Sequence, residues 1–371
     1  MARAWMKAAV AGMAIMAMAA PVHAADTIKI GVPGAHSGDL VSYGMPSLNA
    51  ARIVVEEYNA KGGILGKQIE IIAQDDQCKP ELGTNAATKV LSEGAAVVMG
   101  SICSGATKAA LPIYNDAKIV SISPSATTPE LTQSGEHPYF FRTIASDDMS
   151  GHLAGTFAKD KLGLKKVALL HDKGDYGRGF VNYAREILEK GGVEIVLEEG
   201  ITPGAVDYGA VIQKIRKSGA EGIIFGGYHP EASKLVQQLA KKKVQVPFIG
   251  PDGVKDAQFI KVAGKNAEGV YATGPTDVSK LPMNIQAHEN HKKKYGSEPG
   301  AFYDNAYSAT IALLEAIKAA GGTDSQKIME ALRTNEVDTP LGKTKFDAKG
   351  DAEGIGFSIY QVQKGQFVEL K

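Results

Sequence analysis

Residues 166–200 read KVALLHDKGDYGRGFVNYAREILEKGGVEIVLEEG. The pattern predicts a strand over 166–170, a helix near 176–190 and a second strand over 193–197. A strand, a crossover helix and another strand form a right-handed unit of a parallel sheet. The rhythm continues C-terminally, with a helix at 206–218, a strand at 222–225, a helix at 230–242 and strands at 247–250 and 268–273.

The same alternation precedes this stretch. Ile28-Lys29-Ile30-Gly31-Val32 reads as a first strand. A helix over 44–61 follows, with Ala50, Ile53, Val54 and Tyr58 on one face and Gly62-Gly63 as its stop. Strands are predicted at 68–73, 95–99 and 119–123, and helices at roughly 80–93 and 105–117. Two such runs predict two doubly wound α/β lobes. Helices at 283–296, 303–320 and 325–333 come next, then strand-like tracts at 343–347, 356–361 and 366–370.

The N-terminus differs from the rest. Arg3 and Lys7 precede an uncharged apolar run from Ala8 to Ala20, and Val22-His23-Ala24 puts small residues at the −3 and −1 positions of a cleavage site. This is the pattern of a secretory signal peptide cut after Ala24, and it implies the periplasm. The run falls short of the ~20 residues of a membrane span. Cleavage removes Trp5, the sole tryptophan.

Composition excludes several classes. The 371 residues carry 41 Lys+Arg against 41 Asp+Glu, which argues against a nucleic-acid partner. Hydrophobic residues make up 44%, enough for large cores. Two cysteines exclude a four-cysteine zinc site. Cys78 and Cys103 stand 25 positions apart, and an oxidising compartment allows them to pair; a reactive thiol pair is the alternative.

Enzyme motifs fail one by one. Gly100-Ser101-Ile102-Cys103-Ser104-Gly105 has phosphate-loop spacing, but Ala106-Thr107 replaces the lysine and hydroxyl that should follow. No G-x-S-x-G elbow exists. His288-Glu289-Asn290-His291 misses the zinc-helix spacing by one and reads as solvated surface. No metal, no cofactor and no catalytic residue is expected.

Ligands of open α/β sheets bind at the carboxyl ends of strands. There this sequence places Ser101, Cys103, Ser104 and Gly105 after one strand, and Pro124, Ser125, Ala126, Thr127 and Thr128 after another. Hydroxyls and free N–H groups suit a carboxylate; helix capping is the alternative use of the same residues. The other lobe offers Asp175-Tyr176-Gly177, Gly226-Gly227-Tyr228-His229 and Gly250-Pro251-Asp252-Gly253. A carboxylate among tyrosine rings suits an ammonium, while ordinary turn chemistry also accounts for Pro251-Asp252-Gly253. An anion site facing a cation site describes a zwitterion, the simplest being a free amino acid.

The chain resembles the branched-chain amino-acid-binding proteins of bacterial ABC uptake systems along essentially its whole length. The matching motifs include Asn59-Ala60-Lys61-Gly62-Gly63-Ile64, Asp75-Asp76 with Cys78, Cys103-Ser104, Pro124-Ser125-Ala126-Thr127, Pro129-Glu130-Leu131, His171-Asp172-Lys173, Tyr176-Gly177, Gly226-Gly227-Tyr228-His229-Pro230-Glu231, Gly250-Pro251, Ala301-Phe302 and Val337-Asp338-Thr339. The resemblance implies the type I periplasmic binding fold, two Rossmann-like lobes joined by three hinge crossovers. Lobe 1 would comprise 25–146 and 277–355, and lobe 2 would comprise 147–276 and 356–371. It implies that Ser104, Ser125 and Thr127 hold the α-carboxylate and that Asp252 holds the ammonium, with Tyr176 and Tyr228 nearby. Tyr43, Ile102, Cys103 and Phe302 would shape the side-chain pocket, and Cys78–Cys103 would be the family's disulfide. The implied partners are a leucine, isoleucine or valine ligand and inner-membrane permease subunits, met by a monomer. Asp252 stands where the best-known member has glutamate, and Ser125 replaces an alanine, which keeps another amino acid, an ω-amino acid or an amide as alternative ligands. A sensor subunit, or an exported enzyme with Asp252 or Asp175 as general base, are the competing functions.

Overall fold

The computed structural model describes residues 27–371, so the signal-peptide reading of 1–24 lies outside the described residues. Five strands, β1 (Ile28–Gly34), β2 (Ile69–Asp75), β3 (Val97–Met99), β4 (Ser121–Ser123) and β5 (Phe140–Arg142), form a parallel sheet in the order β2-β1-β3-β4-β5. Its central strand β3, Val97-Val98-Met99, is an unbroken buried apolar run because helices cover both faces of the sheet. One face packs on the helices Val41–Ala60 and Tyr303–Ala320, in a core that includes Ile30, Val54, Val97, Phe141, Leu313 and Ile317.

The second sheet follows in β6 (Lys166–His171), β7 (Glu194–Gly200), β8 (Gly222–Gly226), β9 (Phe248–Gly250) and β10 (Tyr271–Pro275). A hairpin, β11 (Val337–Thr339) with β12 (Gly342–Thr344), stands apart. The antiparallel strands β13 (Phe357–Gln363) and β14 (Gln366–Glu369) extend the second sheet, whose order is β14-β13-β10-β9-β8-β6-β7. Its cores hold Ala168, Phe225, Leu235 and Phe259 on one side and Val167, Phe180, Ala184 and Ile249 on the other.

The chain passes between the two sheets three times, after Arg142, after Pro275 and between Ile355 and Phe357. The last two passages lie side by side, with the Thr276 N–H donating to Gly356 O at 3.1 Å. This is the mixed α/β architecture that the alternating pattern predicts.

Sequence reading missed β5, β11, a turn of helix at Glu130–Gln133, the helix Asp147–Thr156 with its continuation Phe157–Lys161, the helix Ala257–Ala263 and the short helical turns Asp252–Val254 and Gly264–Ala267. The helix over 206–218 begins later, at Gly209, because the Asp207 carboxylate accepts the Gly209 N–H at 2.9 Å and holds a turn there. His291 is buried rather than solvated: Nδ1 lies 2.8 Å from Ser297 O, and the ring meets Tyr303 edge-on.

Candidate functional site

The carboxyl ends of the two sheets face each other, and each side chain of the cleft is set by the turn that follows a strand. Tyr43 opens the long helix after β1. A Cβ on its neighbour Gly44 would stand 2.0 Å from Ala35 O, so only glycine lets this helix start so close to the strand end. Across the cleft, a Cβ on Gly177 would stand 2.5 Å from Gly226 O. That close approach seats Tyr176 beside the end of β8.

On the first side, the loops after β3 and β4 are knitted together. Ser123 Oγ donates to Ser101 O at 2.6 Å and accepts the Ala126 N–H at 3.0 Å. Ser125 Oγ donates to Ile102 O at 2.8 Å, so its proton is already committed. Ser104 Oγ accepts the Thr128 N–H at 3.3 Å, and its own proton remains free to donate. The buried Thr127 hydroxyl has no hydrogen-bond partner.

On the second side, the rings of Tyr176 and Tyr228 stack with centroids 4.9 Å apart. Tyr176 Oη donates to Asp252 Oδ1 at 2.5 Å and accepts the Gly253 N–H at 2.9 Å. Burial pushes the Asp252 carboxyl up to about 6, against the pull of the Tyr176 hydroxyl.

The two sides touch. Tyr43 Oη donates to Gly253 O at 2.5 Å, and its ring meets Phe302 edge-on at 5.5 Å. Ser42 Oγ lies 3.1 Å from His229 Nε2. His229 Nδ1 has no hydrogen-bond partner, and Asp256 Oδ1 accepts the Gln258 N–H at 2.6 Å. At the rim, Lys108 Nζ lies 3.5 Å from the exposed Asp175 carboxylate, which is absent from the cavity wall.

Tyr43, Ile102, Cys103, Ser104, Ser125, Tyr176, Tyr228, Asp252 and Phe302, all singled out by sequence, line one interlobe cavity together with Gly253. Its free volume is about 10 Å³, room for one water molecule. Thr127 is outside that lining. It is fully buried, and its carbonyl accepts the Asp147 N–H at 2.9 Å. The Cys78–Cys103 disulfide, Cα atoms 5.3 Å apart, borders a wider groove of about 510 Å³ that leads outward between the lobes past Tyr176 and Tyr228.

Sequence reasoning missed Asp147. This residue is fully buried at a helix start, and neither carboxylate oxygen has a hydrogen-bond partner. Burial drives its carboxyl well above the usual range, the Asp252 charge adds to that, and the nearby Thr127 hydroxyl and Arg142 oppose it. Two buried acids that feel each other's charge resist being ionised together. Among the described residues no group of three or more His, Cys, Asp or Glu could hold a metal ion. None of the described helices is long and apolar enough to cross a membrane.

Residues 27–366 match the sequence profile of the family described as periplasmic binding protein. The chain is 37% identical over 354 residues, covering 95% of both chains, to a leucine-, isoleucine-, valine-, threonine- and alanine-binding protein of Pseudomonas aeruginosa. It is 34% identical over 336 residues, 91% of both chains, to the Leu/Ile/Val-binding protein of Escherichia coli. Among solved structures it superposes on a leucine-binding protein of Thermotoga maritima with a TM-score of 0.86 at 25% identity, over 93% of this chain and 98% of that one. It also superposes on a branched-chain amino acid transporter substrate-binding protein of Streptococcus pneumoniae in complex with isoleucine, TM-score 0.82 at 29% identity, over 93% and 100%.

Proposed function

Because the chain belongs to the periplasmic binding protein family, with the type I fold of its structural neighbours, we propose the following reading of its cleft. The protein captures a free branched-chain amino acid between its lobes and delivers it to the membrane permease of an ABC transporter. It binds a small molecule and acts on no bond of it.

The observation that carries the reading is the shared lining of Ser104 and Asp252. They come from different sheets, yet they face one cavity walled by tyrosine and phenylalanine rings. Ser104 Oγ and the Thr127 N–H donate to the α-carboxylate. Asp252, the carboxylate of the cavity wall, accepts from the ammonium. Ile102, Cys103, Tyr43, Tyr228 and Phe302 contact the side chain. The committed hydroxyl of Ser125 acts by holding Ile102 rather than by touching the carboxylate.

An amino acid does not fit the free volume of the closed cavity, so entry requires the lobes to part. We assign lobe 1 to 25–146 and 277–355 and lobe 2 to 147–276 and 356–371. Ligand contacts both and favours the closed form by its differential affinity. The signal peptide of residues 1–24 sends the chain to the periplasm, with cleavage after Ala24.

A thermal-shift and calorimetric screen of free amino acids tests this. Leucine, isoleucine and valine should raise the melting temperature, and chromatography should recover them unchanged. No shift with any amino acid, or turnover of one, would sink the reading. Threonine and alanine belong in the screen, since the Pseudomonas relative is described as binding both. The exported protein should begin at Ala25 by mass spectrometry and show tyrosine emission alone.

A further inference from the structure

Arg142, the last residue of β5, is completely buried, yet sequence reading passes over it. Its guanidinium is fully engaged. Nη1 donates to Thr127 O at 2.8 Å and Thr128 O at 3.0 Å and faces Ala126 O at 3.4 Å. Nη2 donates to Thr132 Oγ1 at 2.8 Å, and Nε donates to Asp351 Oδ1 at 2.5 Å. A buried guanidinium survives only with such a set of partners.

The direction of those bonds matters. In a trans peptide the carbonyl and the next residue's N–H point opposite ways. Drawing the carbonyls of Ala126 and Thr127 toward Arg142 turns the N–H groups of Thr127 and Thr128 away from it. The Thr128 N–H reaches Ser104 Oγ, while no protein acceptor takes the Thr127 N–H among the described residues. Arg142 also stands where the chain leaves the first sheet. Its backbone N–H donates to Gly350 O at 2.9 Å, and Asp351 lies just before the third passage between the sheets.

We infer that Arg142, held by Asp351, is the positioning residue of the carboxylate loop: it fixes Ala126–Thr128 so that the Thr127 N–H and Ser104 hydroxyl converge on the ligand, and it ties that loop to two of the three interlobe passages. This rests on the reading that the loop receives the ligand carboxylate. Arg142 itself touches no ligand. Lysine could keep the charge but not the planar fork.

The test compares Arg142→Lys with wild type by leucine calorimetry and by hydrogen exchange of the ligand-free protein. The expected result is at least tenfold weaker leucine binding and at least tenfold faster exchange at the hydrogen-bonded amides of Ala126 and Thr128, with Gly222–Gly226 unchanged. Wild-type affinity, with or without faster loop exchange, would overturn the inference; so would lost affinity with unchanged loop exchange. If Arg142→Lys does not fold, Asp351→Asn decides, since that carboxylate is partly exposed. At least threefold weaker binding with faster loop exchange is expected, and wild-type values in either measurement would overturn it. A wild-type protein that binds no amino acid would sink the functional reading alone, because the exchange measurement reads the loop without ligand.

Discussion

Tyr176 Oη donates a hydrogen bond to Asp252 Oδ1 over 2.5 Å and accepts the Gly253 N–H over 2.9 Å, so one hydroxyl fixes both the carboxylate and the turn that bears it. Asp252 is thereby aimed rather than merely present. Asp252→Asn should weaken leucine binding by roughly 10–100-fold, the worth of a charged hydrogen bond. Tyr176→Phe should cost roughly tenfold while leaving the ring stack on Tyr228 in place. Calorimetry on both variants checks this; an Asp252→Asn protein with wild-type affinity would remove Asp252 from the site.

The raised carboxyl of Asp252 gives binding a pH dependence. An ammonium pairs with the ionised form, so affinity should fall as pH drops through about 6. For one coupled proton the loss approaches tenfold per pH unit, so Kd at pH 4.5 should be roughly 30-fold weaker than at pH 7.5. Stability of the ligand-free protein has the opposite sense. A carboxyl near 6 when folded, against about 3.9 when unfolded, holds more protons folded. Its contribution is complete below about pH 4 and is lost as pH rises through about 6. Asp147, Tyr176 and Lys255 share the field around Asp252 and shape the curve. The Tyr176 bond pulls Asp252 down, so Tyr176→Phe should move the binding midpoint to higher pH, and Asp252→Asn should flatten much of the profile.

The Cys78–Cys103 link closes a loop of 25 residues and joins the cavity wall to the turn after β2. Chain entropy alone gives such a link about 3.5 kcal/mol. Reductant, or Cys78→Ala, should lower the melting temperature by about 5–10 °C. Affinity should fall as well, because Cys103 is a wall residue. A reduced protein with unchanged melting would show that the link holds nothing the packing does not.

Long parallel strands were legible in the sequence because burial on both faces leaves continuous apolar runs, as in Val167–Leu170. The ends of those strands were legible too, since glycine, proline and hydroxyl residues gather there. What stayed hidden depends on tertiary contact. β5 has only three residues, one of them arginine, and nothing local says that Arg142 is buried under a loop from 126–128. Asp147, at a helix start, reads as an ordinary first-turn acid. Its burial is decided by Thr127 and Asp252, one twenty positions upstream and the other more than a hundred downstream.

Tyr43 bridges the cleft through a single hydroxyl, donating to Gly253 O and accepting the His229 N–H at 3.4 Å. Tyr43→Phe keeps the ring beside Phe302 and removes only that clasp. At about 1 kcal/mol for such a bond, the closed form should lose roughly fivefold in population relative to the open one. Small-angle scattering of the ligand-free variant should show a larger radius of gyration than wild type, with saturating leucine restoring the compact value. Identical scattering in the absence of ligand would mean that other contacts hold the lobes.

Ser104 and Ser125 look equivalent in the sequence, and their hydrogen bonds separate them. Ser104 Oγ accepts from the Thr128 N–H and has a hydrogen bond left to donate, whereas the Ser125 hydroxyl already donates to Ile102 O. A carboxylate takes only donors. Ser104→Ala should therefore weaken leucine binding roughly tenfold or more, and Ser125→Ala should change it by less than about threefold. Stability should show the reverse order, because losing the Ser125 hydroxyl strands a buried carbonyl while losing the Ser104 hydroxyl frees an N–H already 3.3 Å away. Calorimetry and thermal unfolding of the two variants side by side would read both halves. Equal losses of affinity would return Ser125 to the carboxylate and require its hydroxyl to turn away from Ile102 when ligand binds.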